Sequence, residues 1–231
     1  MKIVYEDNHL LIVVKPPNML TQADKTGDED LFSQAKEYIR VTYHKPGEVY
    51  LGLVHRMDRP VGGLLAFAKT SKAAERLSRQ VATHEMGRTY LAIVRGEVSE
   101  SDTLHHYLLK DEASNTVRSV PFGTPGSKEA VLHYRRIAMK DGFSLVEISL
   151  ETGRSHQIRV QFATSGHSLF GDARYGNGPI GVQIALWGAK LRLTHPTLKT
   201  PAVYRSTPEG STWQLFRKEI DDYMQLEEET I

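Results

Sequence analysis

Residues 55–69 read His55-Arg56-Met57-Asp58-Arg59-Pro60-Val61-Gly62-Gly63-Leu64-Leu65-Ala66-Phe67-Ala68-Lys69. One carboxylate, Asp58, lies between two arginines, Arg56 and Arg59. Proline fixes φ, and Gly62-Gly63 permits backbone shapes that other residues avoid. The segment is therefore expected to form a tight turn feeding an apolar run that reads as a buried strand. A carboxylate held at the rim of a core strand is well placed for chemistry. The alternative on local grounds alone is an exposed, salt-bridged loop.

Upstream of this turn, residues 2–5 and 10–15 read as two short strands around Glu6-Asp7-Asn8, and Lys15-Pro16-Pro17-Asn18 ends the run. Asp28 or Asp30 can cap a helix over about 31–43, with Leu31, Ala35, Tyr38, Ile39 and Thr42 on one face. A short strand near 49–54 leads into the turn. Downstream, Ser71 starts a helix with an apolar stripe of Ala74, Leu77, Val81 and Ala82, expected to end near Gly87. Arg88–Val98 reads as a strand with Tyr90, Ala92 and Val94 on one face and Leu91, Ile93 and Arg95 on the other. The polar residues 100–127 suggest a hairpin or an excursion from the sheet. Lys128–Met139 and Phe143–Leu150 then form an antiparallel pair joined at Lys140-Asp141-Gly142. A short helix over 155–164, capped by Ser155, precedes a glycine-rich loop at 172–181. Strands near 182–187, 190–194 and 201–205 and a final helix at about 211–226 complete the chain. Many strands, few helices and hairpin-type links imply an α+β fold with a mixed, mostly antiparallel sheet and flanking helices. With no internal repeat, linker or composition break, a single domain over 1–231 is expected.

The chain has 231 residues, 40% hydrophobic and 25% charged, ordinary for a globular protein with a sizeable core. No apolar run approaches the roughly 18 residues of a membrane span, and Met-Lys-Ile-Val-Tyr-Glu at the start lacks a signal-peptide pattern. The absence of cysteine excludes disulfides and thiolate-held zinc. A cytoplasmic protein without membrane association is expected. The net charge of +1 hides an asymmetry. Residues 1–218 hold all 29 basic but only 22 of the 28 acidic residues, a net charge of +7, while Glu219, Asp221, Asp222, Glu227, Glu228 and Glu229 form an acidic tail. A basic body suits a polyanionic partner without naming one.

A second stretch, residues 151–176, reads Glu-Thr-Gly-Arg-Ser-His-Gln-Ile-Arg-Val-Gln-Phe-Ala-Thr-Ser-Gly-His-Ser-Leu-Phe-Gly-Asp-Ala-Arg-Tyr-Gly. Together with residues 55–69 it resembles the RluA-type pseudouridine synthases, which isomerise uridine in RNA. The family's central motif, His-Arg-Leu-Asp-Arg before an apolar strand, is matched at His55–Arg59. Its late motif, Thr-Gly-Arg-x-His-Gln-Ile-Arg followed by Gly-His, Gly-Asp and Tyr, is matched from Thr152 to Tyr175. A Lys/Arg-x-Tyr strand is matched by Arg88-Thr89-Tyr90, and an early Lys-Pro by Lys15-Pro16. Four ordered matches over residues 15–176 make the signal specific, where any one alone would be weak.

The resemblance implies a pseudouridine synthase-like fold with a central RNA-binding cleft. It also implies an enzyme converting uridine to pseudouridine in structured ribosomal or transfer RNA. The target uridine would lie in a loop or flip out of a stem. The reaction transfers no electrons and no external group, so no cofactor is expected, and a monomer is anticipated. The first core strands begin at residue 2, which leaves no room for the small RNA-binding module many members carry. Substrate choice would then rest on the catalytic domain.

The resemblance makes Asp58 the catalytic aspartate, acting as nucleophile or stabiliser of developing charge. Arg159 would offset the cost of ionising Asp58 in a pocket that buries uracil. On sequence alone Arg159 could equally be a surface helix arginine. Tyr90 would stack on the base and could relay the proton lost from C5; the plain alternative is a core tyrosine. Ile158 would line the pocket, and Arg56 would fill the space the flipped base vacates. Arg154 and His156 would bind phosphate or support their loop. Lys15, Arg59, Arg88 and Arg174 are candidate phosphate contacts. The chain departs from the family pattern at Met57 (usually Leu), Val61-Gly62 (usually Thr-Ser), Asn18 (often Gly), Gln161 (often His) and Ser168 (often Pro). Three other readings compete. One is a non-catalytic RNA-binding or assembly factor on the same fold. Another is a metal-dependent hydrolase ligated by His55, Asp58, His156, His167 and Asp172, which lacks any His-x₃-His or His-Glu-x-x-His pattern. The third is a glycoside hydrolase, for which no second carboxylate has a clear claim.

Overall fold

The computed structural model describes residues 1–226. Within them the chain forms two compact units, neither of them a continuous stretch. The first takes in Met1–Arg88 and Gly188–Ser206, the second Thr89–Trp187 and the residues from Thr207 onward.

In the first unit, β1 (Lys2–Glu6) and β2 (Leu10–Lys15) pair antiparallel, and β2 pairs antiparallel with β4 (Gly62–Ala68), Lys15 opposite Gly63 and Leu10 opposite Ala68. Leu10–Lys15 and Gly62–Ala68 are buried throughout. A continuous apolar run is what a strand covered on both faces requires. β3 is only Gly52–Leu53, shorter than the 49–54 expected, and lies against the end of β4. On the other side of β4 lies β10 (Leu186–Thr194), which pairs antiparallel with β11 (Pro201–Arg205). Of the two strands expected near 182–187 and 190–194 the structure has one, which begins only at Leu186 and continues through Gly188. Gly63 explains the continuation. It holds φ +125, and a side chain there would overlap the Gly188 backbone N, O and Cα. Two glycines thus let β4 and β10 approach more closely than side chains allow.

Helix α1 (Leu31–Thr42) is capped by Asp30, whose carboxylate accepts the Ser33 N–H at 2.9 Å, and it buries Leu31, Ala35 and Ile39 as its periodicity implies. Helix α2 (Ser71–Ala82) is capped by Thr70 and ends five residues before Gly87, at Thr83 and His84, the latter at φ +59. Its buried face is Ala73, Leu77 and Gln80, rotated from the stripe expected. Gln80 accounts for the difference. Its amide donates to the Thr194 C=O and accepts the Thr194 N–H, both at 2.8 Å, capping the end of β10.

The second unit is an antiparallel sheet in the order β5 (Gly87–Arg95), β9 (Phe143–Leu150), β8 (Lys128–Lys140), β6 (Ser101–Asp111), β7 (Thr116–Val120). The polar stretch 100–127 is the β6–β7 hairpin, and β8–β9 is the pair read from the sequence. Helix α3 (Gln157–Thr164) has no acidic residue in its first turn and no basic residue in its last, and it buries every residue from Gln157 to Phe162. A 3-10 turn (Ser211–Phe216) and helix α4 (Arg217–Leu226) divide what the sequence suggested as one helix. Arg217–Asp221 and Lys218–Asp222 pair along α4. Glu227–Glu229 of the acidic tail lie outside the described residues. The whole is an α+β protein, antiparallel in the pairings β1–β2, β2–β4, β3–β4 and β10–β11 and in those of β5, β9, β8, β6 and β7.

Candidate active site

In the first unit the Asp58 turn is tied down by groups far away in sequence. The Asp58 C=O accepts the Val61 N–H at 3.1 Å, closing the turn over Arg59-Pro60. Just before Asp58, Thr21 holds the Met57 peptide from both sides: its hydroxyl donates to the Met57 C=O at 2.9 Å and accepts the Met57 N–H at 3.3 Å. Just after it, Lys15 donates to the Arg59 C=O at 3.0 Å. The peptide groups flanking Asp58 are thus both fixed, and Asp58 itself remains partly exposed. Sequence reasoning missed Thr21 entirely. It lies 36 residues from Met57, and no local pattern marks it.

Lys15 corrects an expectation. Proposed as a phosphate contact, it is fully buried, and its ammonium also donates to the Pro16 C=O at 3.1 Å and the Met19 C=O at 2.7 Å. Three donors meet three carbonyls, so the group ties the Lys-Pro loop to the Asp58 turn. Burial pulls its pKa down to about 7, against the upward pull of the Asp58 charge and with the Arg59 charge. Asn18, in the same loop, takes φ +65, a left-handed shape that Asn tolerates and Gly adopts freely. Arg59 is about half exposed but engaged, its guanidinium donating to Asp28 at 2.7 Å and to the Asn18 C=O at 3.2 Å. Arg56 is exposed.

His55 is buried, and its Nε2 accepts the Ala66 N–H at 3.1 Å, which puts the proton on Nδ1. Nδ1 has no hydrogen-bond partner among the described residues. Burial, and secondly the Arg88 charge, push the imidazole pKa down to about 3, so the ring is neutral. His55 is therefore a prop of β4, and it is not placed as a metal ligand. Among the described residues no group of three His, Asp or Glu side chains could hold a metal ion.

In the second unit, Tyr90 lies on β5 opposite Ile148 and is 8% exposed. Both faces of β5 are buried from Tyr90 to Val94, so the strand has no solvent face. Arg159 is 6% exposed on α3, which disposes of the surface-arginine alternative. Its Nε and Nη2 donate to Asp172 Oδ2 and Oδ1 at 2.9 and 2.8 Å, a bidentate pair. Burial of Asp172 opposes its ionisation, but the hydrogen bonds and charge of Arg159 and the N–H groups of Tyr175 and Arg174 outweigh it. The Asp172 pKa consequently lies below the ordinary carboxylate value. Ile158, beside Arg159, is buried.

The loop before α3 is held by Gln157, whose side-chain oxygen accepts from the Thr152 hydroxyl at 2.8 Å and the Arg154 N–H at 2.9 Å. The N-cap is His156 at φ +53, without a side-chain cap, and not the Ser155 expected. The Gln157 side chain holds the loop in place of a serine cap. His156 Nδ1 and the Tyr175 hydroxyl share a hydrogen bond of 2.6 Å, and that hydroxyl accepts the Val117 N–H at 3.0 Å. His156 is therefore a loop support. Arg154 donates from Nε to the Glu129 C=O, and Arg174 donates to the Asn115 C=O, both at 2.8 Å. Gln161 donates to the Leu104 and Ala130 carbonyls at 2.8 and 3.0 Å, bracing α3 against β6 and β8.

These features are those of a family of RNA-modifying enzymes. Residues 9–164 match the family described as RNA pseudouridylate synthase. The chain is 30% identical over 226 residues to tRNA pseudouridine synthase C of Vibrio cholerae, covering 89% of this chain and 90% of the relative. It is 36% identical over 201 residues to an uncharacterised RNA pseudouridine synthase, YhcT, of Bacillus subtilis. It is 37% identical over 183 residues to ribosomal large subunit pseudouridine synthase D of Zymomonas mobilis. The last two matches take in 85% and 76% of this chain but only 65% and 56% of the relatives, so the chain spans less than two thirds of their length. Human RNA pseudouridylate synthase domain containing 4 shares the fold, with a TM-score of 0.78 at 17% identity over 95% of this chain and 93% of that one. The chain belongs to the RNA pseudouridylate synthase family, as its RluA-type motifs lead one to expect.

Proposed function

We propose that this protein isomerises specific uridines of ribosomal or transfer RNA to pseudouridine, with Asp58 as the catalytic nucleophile. The observation that carries the reading is the Asp58 turn, in which Thr21 holds the peptide before Asp58, the Val61 N–H the one after it and Lys15 the Arg59 carbonyl beyond, while Asp58 itself is partly exposed. Preorganisation of this kind is what a carboxylate acting on a reacting centre requires. In the reaction the N1–C1′ bond breaks, a C5–C1′ bond forms, C5 loses a proton and N1 gains one. Atoms and electrons balance without a cofactor.

Arg159 offsets the charge of Asp58 in this reading, Tyr90 stacks on the uracil and Ile158 borders it. The exposed Arg56 occupies the space left by the flipped-out base. Arg59 and Arg154 contact phosphate with whatever donors their present partners leave. The relatives named for tRNA and for the large ribosomal subunit support either RNA as substrate. No helix among the described residues is long and apolar enough to cross a membrane. We infer action on RNA in the cytoplasm. We also infer a monomer in which residues 1–231 act as one catalytic domain, since each compact unit needs chain from both sides of the other.

The test is pseudouridine mapping of total RNA from cells lacking the gene, carrying it, or carrying Asp58→Asn. One or more sites should vanish on deletion and return only with the wild-type copy. The purified variant should lose at least ~10²-fold in rate and keep its RNA affinity within about threefold. Restoration by Asp58→Asn, or no lost site, would overturn the proposal in favour of a non-catalytic RNA-binding factor.

A further inference from the structure

At the far end of β4 from the Asp58 turn, the first unit holds a cavity of about 370 Å³. β4 has seven residues at about 3.3 Å each, so the cavity and the turn lie roughly 20 Å apart along the strand. Its lining includes Ile39, Tyr43, Lys45, Val49, Tyr50 and Lys69. Ile39 and Val49 are buried, whereas Tyr43 and Tyr50 are 44% and 51% exposed. Two aromatic side chains therefore reach both the cavity and the solvent.

The charges around it are mostly matched within the protein. The Lys69 side chain is only 9% exposed. Its ammonium donates to Glu6 Oε1 at 2.6 Å and to the Tyr43 hydroxyl at 3.3 Å, and lies 4.4 Å from the Tyr43 ring centroid. An ammonium has three protons, so one is left for a further acceptor. Glu6 also accepts from the Tyr38 and Tyr43 hydroxyls at 2.7 and 2.8 Å. Burial opposes its ionisation, but the Lys69, Tyr38 and Tyr43 donors outweigh it and hold the carboxyl below the ordinary range. Glu6 thus cancels Lys69, and Glu48 is paired with Lys36 at 2.9 Å. Lys45 remains, its ammonium meeting no acceptor among the described residues. The cavity offers aromatic surface and one uncompensated positive charge.

We propose that this cavity binds one nucleotide of the RNA substrate away from the reacting uridine, with its base stacked on Tyr50 and its phosphate on Lys45 and Lys69, an inference that rests on the synthase reading above. A nucleotide within an RNA chain carries one negative charge and one flat aromatic base, which complement what the cavity presents. Tyr43, fixed through its hydroxyl to Glu6, and the buried Lys69 form the rigid side of the site. Tyr50 and Lys45, from the connection between α1 and β3, form the side that meets the RNA. Stacking accepts any base, so the site anchors the chain without choosing the target.

The test compares full-length wild type with Tyr50→Ala, Tyr50→Phe and Lys45→Ala, with melting temperatures measured for each. RNA purified from cells lacking the gene is the ligand in filter binding. The same RNA, tritiated at C5, is the substrate in a tritium-release assay, since forming the C5–C1′ bond expels the C5 hydrogen. Tyr50→Ala should weaken RNA binding by roughly 5- to 30-fold, whereas Tyr50→Phe, which keeps the ring, should stay within about twofold. Tyr50→Ala should leave the log–log salt slope unchanged, and Lys45→Ala should reduce it by about 0.7. In turnover the Tyr50→Ala loss should fall on KM, with kcat changed less than about threefold, because the contact is remote from the bond that breaks. Unchanged RNA affinity in Tyr50→Ala, or a loss confined to kcat, would overturn the proposal. So would uridine 5′-monophosphate that binds wild type and not Tyr50→Ala while RNA binds both alike, since the cavity would then serve a free nucleotide. If wild type itself releases no tritium, it is the synthase reading that fails; equal turnover and affinity in all four proteins would sink the cavity site alone.

Discussion

His55 shows what a single buried side chain can impose. Its imidazole is neutral in the fold because burial and the Arg88 charge disfavour the proton, and its Nε2 is occupied by the Ala66 N–H. The folded pKa of about 3 lies below the ordinary 6.5, so below pH 6.5 the unfolded chain binds the extra proton. The stability contributed by the neutral ring is complete above 6.5 and is lost as pH falls toward 3. The loss approaches ~1.4 kcal/mol per pH unit. Urea denaturation at pH 7, 6 and 5 should show this slope in wild type, and a shallower one in His55→Gln, which keeps an acceptor for Ala66 but does not titrate. Equal slopes would remove His55 as the source of acid sensitivity. The motif around Asp58 was legible because its residue types are contiguous. The groups that hold it were not. Thr21 and Lys15 reach Met57 and Arg59 across 36 and 44 residues, and a lysine in an early Lys-Pro pair reads as a surface cation until its three carbonyl partners are seen. Asp172 was visible as part of the late motif and as a conceivable metal ligand, but nothing in sequence says that it folds back onto Arg159.

Among the elements, β4 is where backbone shape matters most. It carries the chain from the Asp58 turn into the core, and Gly63 must approach Gly188 of β10 at a φ of +125. A Gly63→Ala change meets immovable backbone and should cost roughly 3 kcal/mol or more, appearing as insoluble protein or a large drop in melting temperature. Gly181→Ala, at φ +91 but with nothing within 4 Å of the added Cβ, bears only the backbone strain of roughly 1–2 kcal/mol. Similar melting temperatures for the two variants would refute the close-packing account. Most elements were legible from period and punctuation. Asp30 caps α1, and the β8–β9 hairpin turns where Lys140-Asp141-Gly142 predicts. The misplacements share one physical cause, which is tertiary partners overriding local pattern. Gln80 joins the buried face of α2 because Thr194 satisfies its amide. Likewise, β10 runs through Gly188 because Gly63 packs against it, and α3 is capped at His156, not at Ser155, because Gln157 holds the preceding loop.

For the whole molecule, the absence of a composition break has a structural reason. Each compact unit is assembled from two segments of the chain, so no linker marks a boundary and both units draw on the same kind of sequence. What does vary along the chain is charge. The +7 carried by residues 1–218 includes several arginines already engaged by the protein, such as Arg159 with Asp172, Arg59 with Asp28 and Arg135 with Glu147. Arg56, by contrast, is exposed beside Asp58. RNA affinity should therefore depend on salt through those side chains that meet phosphate. Each contact on single-stranded RNA contributes about −0.7 to the slope of log K against log salt, so a slope of several units is expected between 50 and 300 mM. Filter binding or fluorescence anisotropy across that range measures it directly. Arg56→Ala should leave the slope nearly unchanged if Arg56 fills the space of a flipped base, whereas loss of a phosphate contact would reduce it by about 0.7. A flat salt response in the wild-type protein would mean that the basic body does not track the RNA backbone. Recognition would then rest on base and shape contacts alone.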